Sequence, residues 1–164
     1  MSTREYFCYT DGSCKPLVGE KRPGGWGFSV KPPTGEAIEG YGQAEDTLAK
    51  VMEYRAVAEA LSVLPEGATA CVLSDNRALV ENLSKGLANW TSSSFVNVDP
   101  FIVEHARRIA MTLAEKRLVV RWQWLRGHNG NPGNERADAL AAQGAREAKA
   151  SLQATARRPG ANRR

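Results

Sequence analysis

Residues 122–141, W-Q-W-L-R-G-H-N-G-N-P-G-N-E-R-A-D-A-L-A, pass from an aromatic apolar run through a Gly/Asn/Pro loop into a helix. The loop carries His128, and the helix carries Asp138 on its early turns. Three more acids stand at similar transitions upstream: Asp11 after an apolar run, Glu53 at the opening of an amphipathic helix, and Asp75 after a second apolar run. Four carboxylates brought to one end of a sheet, with no thiolate or histidine cluster beside them, make the all-oxygen donor set that hard divalent cations take. Crowded carboxylates repel one another and burial raises their pKa values; a divalent cation removes that conflict. Two such ions roughly 3.5–4 Å apart can activate a water and stabilise the leaving oxygen of a phosphodiester. An imidazole titrates near neutrality as a rule, so the residue type at position 128, His128, suits proton transfer beside such a site. Covalent catalysis has less support, since Ser13 has no partner base suggested by the sequence and Cys14 is an isolated loop thiol.

Each acid taken singly also has an ordinary structural explanation. Asp11 stands in T-D-G-S, and Asp-Gly is a turn dipeptide. Glu53 complements the positive end of its helix. Asp75 is placed to cap the helix that follows it. Asp138 sits beside Glu135 and Arg136, as a solvated residue would. The inference to a cation site therefore rests on all the acids reaching one sheet end together.

The elements that must do this are legible as alternating patterns. Residues 5–10, 26–31 and 36–42 read as strands, the last two joined by the turn P-P-T-G. Residues 51–64 carry Met52, Ala56, Val57, Ala60 and Leu64 along one helical side, stopped by Pro65-Glu66-Gly67. Residues 70–73 are wholly apolar, like a strand buried on both faces. Helices are predicted over 76–87, 100–117 and 134 to about 149, and a strand over 118–125. Residues 89–99 read as a loop with an exposed Trp90. The order implies a mixed α/β sheet, whose sites form at the carboxyl ends of the strands. Residues 1–150 make one domain. Residues 151–164, poor in apolar side chains and rich in arginine, are expected to be a disordered basic tail.

Composition narrows the class. The 42% apolar and 24% charged fractions are those of an ordinary globular protein, and no run approaches a membrane span. The odd cysteine count, without C-x-x-C spacing, argues against a disulfide or zinc framework and points to a reducing, cytoplasmic setting. A net charge of +4 permits a polyanionic partner without requiring one.

The motifs Y-T-D-G-S-C (residues 9–14), P-G-G-W-G (23–27), M-E-Y-R-A-V-A-E-A-L (52–61), L-S-D-N (73–76) and G-H-N-G-N-P-G-N-E-R-A-D-A-L-A (127–141) together resemble type 1 ribonuclease H of the bacterial kind. The resemblance covers roughly residues 6–146. It implies a ribonuclease H-like mixed five-stranded sheet flanked by helices. It also implies an enzyme, expected to act as a monomer, that cleaves the RNA strand of RNA–DNA hybrids, leaving 5′-phosphate and 3′-hydroxyl ends. By the same resemblance Asp11, Glu53, Asp75 and Asp138 would hold two Mg²⁺ ions, with Mn²⁺ as a substitute, and His128 would assist proton transfer or product departure. Gly12, Ser13, Cys14 and the Glu53 carboxylate would meet RNA 2′-hydroxyls, the groups that distinguish RNA from DNA.

The chain departs from the family pattern in places that concern substrate contacts. Lys50 occupies a position before Glu53 where relatives place a polar amide, and there it is a candidate phosphate contact. Asn76-Arg77 follow Asp75 in place of the more common Ser and Gln. The basic protrusion of some bacterial relatives is reduced here to Trp90 and a run of serines. Two other functions compete: a non-catalytic module binding hybrids or double-stranded RNA, and a nuclease of the same architecture acting on DNA. Binding alone needs basic and aromatic surface rather than a set of acids, and the G-H-x-G…N-E-x-A-D loop favours hybrid cleavage by resemblance.

Overall fold

A computed structural model describes residues 4–127 and 130–157. Five strands and four helices follow one another as β1 (Glu5–Cys14), β2 (Gly24–Lys31), β3 (Ile38–Ala44), α1 (Ala49–Ser62), β4 (Thr69–Ser74), α2 (Arg77–Ser92), α3 (Val103–Glu115), β5 (Val119–Trp124) and α4 (Pro132–Ala156). The strands form one mixed sheet in the order β3-β2-β1-β4-β5. β1, β2 and β3 pair antiparallel, whereas β4 and β5 join parallel to β1 through helical crossovers. The expected mixed five-stranded sheet flanked by helices is the fold observed.

Side-chain alternation along β1 assigns its two faces. Cys8 and Thr10 look toward α1, together with Phe28 and Val30 of β2 and Val72 of β4. Tyr9 and Asp11 look the other way, toward α4. The larger core fills the first face, where Val57, Leu61 and Leu64 meet Leu79, Leu83 and Ile109 from α2 and α3. Helix α4 covers β1, β2 and β3 on the second face with a small-residue stripe, Ala137, Ala141, Ala145 and Ala148. No described helix is long and apolar enough to cross a membrane.

Several boundaries differ from the sequence pattern for physical reasons. The Asp11-Gly12 pair does not turn the chain: β1 continues to Cys14 because the glycine-rich start of β2 pairs with it, Asp11 opposite Gly27 and Cys14 opposite Gly24. Helix α2 extends through Ser92, and Trp90 belongs to it, packed against the core rather than fully exposed in a loop. Ser94 and Phe95, both with left-handed φ (56° and 62°), then break the chain away. Helix α3 starts at Val103, later than the pattern suggests, after a turn in which the Asp99 carboxylate accepts the Phe101 amide at 2.9 Å. Arg117 (φ 52°) lies beyond its end and turns the chain into β5.

The largest difference lies at the C-terminus. Helix α4 runs to Ala156, so residues 151–156 are ordered helix and not part of a disordered tail. Leu152 is buried against the domain at 7% exposure. The rest of the expected tail, residues 158–164, lies outside the described residues. Leu152→Ala should therefore lower stability by about 2 kcal/mol, the low end for an apolar truncation at a core margin. In a domain of this size that is a fall of roughly 4–8 °C in Tm, read by thermal denaturation; an unchanged Tm would place Leu152 outside the cooperative unit.

Candidate active site

The acids converge through two close approaches of helix to sheet. Gly12, one residue past Asp11, lies against the backbone of α1: a Cβ there would fall 2.5 Å from the Glu53 nitrogen and 2.6 Å from the Met52 carbonyl carbon. Only glycine lets α1 pack this deeply, and the contact brings Glu53 beside Asp11. On the opposite face Gly27, the register partner of Asp11, lies under α4, where a Cβ would meet Ala141 N at 2.6 Å and Leu140 Cβ at 2.7 Å. The N-terminal half of α4 is thus seated over Asp11, and Asp138 follows buried Ala137 on that segment. A forked Arg136–Glu39 ion pair, 2.8 and 3.0 Å, ties the same turn to β3. Pro132 and the Asn131 side chain, which accepts from Asn134 N at 3.1 Å, set the start of α4.

Asp75 arrives by parallel pairing. Tyr9 and Leu73 are register partners on β1 and β4, and Asp11 and Asp75 each lie two residues further on. The helix cap expected of Asp75 is supplied instead by Asn76, whose side chain accepts from Leu79 N at 3.0 Å. The Trp124 indole donates to the Asp75 carbonyl oxygen at 3.2 Å, fixing the backbone there from β5.

Ligand-capable oxygens of Asp11, Glu53 and Asp75 lie within 4.8 Å of one another. Asp11 is 5% and Glu53 8% exposed, whereas Asp138 is exposed at the rim. Burial holds the Asp11 carboxyl far above the ordinary carboxylate range, reinforced by the charge of Glu53 and by Asp138 and Asp75. Burial also pushes Glu53 up to about 7; its hydrogen bond with Asp11 pulls the other way, and the charges of Asp75 and Asp138 add to the rise. Glu53 Oε2 is buried with no hydrogen-bond partner among the described residues. An orphaned carboxylate oxygen facing two other acids, all hard donors, fits a divalent cation. A thiolate nucleophile is not supported, because burial raises the Cys14 thiol.

The other predicted site residues have distinct places. Gly12, Ser13 and Cys14 form the paired end of β1. Lys50, Asn76 and Trp90 line a cavity of about 280 Å³ between α1, α2 and the segment before α3. His128 lies outside the described residues. Sequence reasoning missed Asp99, which contacts Lys50 across 49 residues of chain; only the three-dimensional fold carries that signal.

The raised carboxyls make a stability prediction. An acid whose folded pKa exceeds its unfolded value supports folding below the unfolded pKa, near 4, and loses that support as pH rises through the folded pKa. For Glu53 that window runs from about 4.5 to about 7. In EDTA the wild-type protein should lose stability across this range. Asp11→Asn should raise the Tm at pH 8 by roughly 3–8 °C, equivalent to about 1–2 kcal/mol, with a much smaller gain at pH 5. A gain independent of pH, measured by thermal melts, would contradict the electrostatic cause.

Comparison with known proteins agrees with the geometry. The family model for RNase H matches residues 3–146. A ribonuclease H of Bordetella avium is 37% identical over 137 residues, covering 83% of this chain and 87% of that protein. A ribonuclease H of Cupriavidus metallidurans is 37% identical over 142 residues, covering 86% and 95%. Among solved structures, LC9-RNase H1, described as a type 1 RNase H with the type 2 active-site motif, superposes with a TM-score of 0.72 at 21% identity, covering 97% of this chain and 83% of that one. At that identity the superposition speaks for the fold, and the sequence matches speak for kinship: the chain belongs to the RNase H family.

Proposed function

We propose that this protein is a ribonuclease H, an endonuclease that hydrolyses the RNA strand of RNA–DNA hybrids and leaves 5′-phosphate and 3′-hydroxyl ends. The observation that carries the reading is the acid cluster of buried Asp11 and Glu53 with half-buried Asp75, and Asp138 at its rim, in a member of the RNase H family. These four side chains hold the divalent cations, for which two Mg²⁺ ions, replaceable by Mn²⁺, suit the all-oxygen donor set. Held by these residues, divalent ions would polarise a water and compensate charge at the leaving oxygen.

The chain's own groups do the rest. Asp11 and Glu53, whose carboxyls burial pushes above the ordinary range, would give up their protons when a cation compensates their charge. Backbone groups of Gly12, Ser13 and Cys14 and the Glu53 carboxylate meet the 2′-hydroxyls of the RNA strand. Lys50, Asn76 and Trp90 contact the nucleic acid alongside, and His128 moves a proton or helps the product leave. Action as a monomer in the cytoplasm accords with one compact fold and three unpaired cysteines, Cys8, Cys14 and Cys71.

The test is cleavage of a labelled RNA–DNA hybrid against RNA–RNA and DNA–DNA duplexes, with Mg²⁺ or EDTA. The hybrid alone should be cut, in its RNA strand, and only with the cation. Asp11→Asn should abolish turnover, whereas His128→Ala should slow it by about 10²- to 10⁴-fold without abolishing it, the scale of one general acid or base. Tight hybrid binding without cleavage would favour the non-catalytic module; a deficit in His128→Ala as deep as in Asp11→Asn would make the histidine indispensable.

A further inference from the structure

Lys50, on the first turn of α1, is already engaged. It lies three residues before Glu53, on the same side of the helix. Its ammonium lies 2.6 Å from Asp99 Oδ2 and 5.3 Å from the centre of the Phe101 ring. Asp99 is the fixed member of the pair, since its second oxygen accepts the Phe101 amide at 2.9 Å. Lys50 is the adaptable member, on a long flexible stem with 48% of its side chain exposed. Phe101 is itself 64% exposed, so the ring adds to the hold on the ammonium without sealing it from water. Both Lys50 and Asp99 line the cavity that also presents Asn76, the neighbour of Asp75, and Trp90. A duplex lying across the acid cluster would bring its backbone to this cavity.

We propose that Asp99 acts as an internal stand-in for phosphate: its carboxylate holds the Lys50 ammonium beside the acid site and competes for it with a backbone phosphate of the bound hybrid. This rests on the ribonuclease H reading for the identity of the polyanion. Exposed ion pairs are weak, so a phosphate can take the lysine, but Asp99 reduces the gain in doing so and leaves its own negative charge next to the nucleic acid. Asp99 thereby sets affinity and its salt dependence. It is an affinity-setting residue that touches the substrate's cationic partner and not the reacting atoms.

The test uses full-length protein carrying Asp11→Asn, so that substrate stays intact, and a fluorescein-labelled RNA–DNA hybrid read by anisotropy in Mg²⁺ over a salt series. Asp99→Asn keeps an oxygen for the Phe101 amide and removes the charge. It should tighten Kd about 3- to 10-fold near 0.1 M salt and steepen the log–log salt slope by up to about one, the increment for one phosphate contact. In a Lys50→Ala background the same substitution should change Kd less than about twofold. A gain of equal size without Lys50 would show simple repulsion by Asp99 and overturn the proposal, as would no gain with Lys50 present. An unchanged Tm checks that the fold is intact. Cleavage by the parent protein tests the ribonuclease reading separately: a chain that binds hybrid without cutting it fails that reading while the Asp99 comparison still decides this one, and a chain that binds no hybrid overturns both.

Discussion

Carboxylates that repel one another are held together here at the mouth of a sheet. Asp11 and Glu53 are buried, and Asp75 has an oxygen within 4.8 Å of theirs. Burial and mutual charge both disfavour ionisation, as the raised Asp11 and Glu53 carboxyls record. A fold has no reason of stability to build such a place. Local conflicts of this kind are characteristic of functional sites, where the surrounding structure supplies the stability that the site forgoes.

The surrounding structure does so with small residues. Gly12 admits the backbone of α1, and Gly27 admits the backbone of α4, from opposite faces of neighbouring strands. The apolar burial that seats each helix, Met52, Val57 and Leu61 on one side and Ala137, Leu140 and Ala141 on the other, also brings in its acid. Asp75 depends on parallel pairing of β1 and β4, which needs the α1 crossover. The packing that stabilises the domain and the geometry that gathers the carboxylates are therefore the same set of contacts. This explains why a side chain at Gly12 or Gly27 would disturb the site without touching a carboxylate.

Much of this was legible in the sequence. Apolar runs followed by acids marked the segments of β1 and β4 that carry or precede Asp11 and Asp75, and helical periodicity marked α1 and α4. What escaped depended on partners far away in the chain. Asp-Gly reads as a turn, but Asp11 and Gly12 stay in β1 because β2 offers glycines to pair with them. Residues 151–156 are locally polar and small, yet Leu152 anchors the final turns of α4 to the domain. Trp90 reads as a loop aromatic, yet it lies in α2 and packs against the core. The Lys50–Asp99 pair joins residues with no common local pattern. Local chemistry singled out Asp11, Glu53 and Asp75, which the fold brings together, while their final neighbours were decided by tertiary packing.

The central claim is that the acid cluster is a cation site whose empty form retains protons. Calorimetric titration of Mg²⁺ or Mn²⁺ into the protein at pH 7, repeated in buffers of different ionisation enthalpy, measures the protons released on binding. The account predicts saturable binding with release on the order of one proton, declining toward pH 9, and loss of both binding and release in Asp11→Asn. Binding without proton release, or binding unaffected by Asp11→Asn, would contradict it.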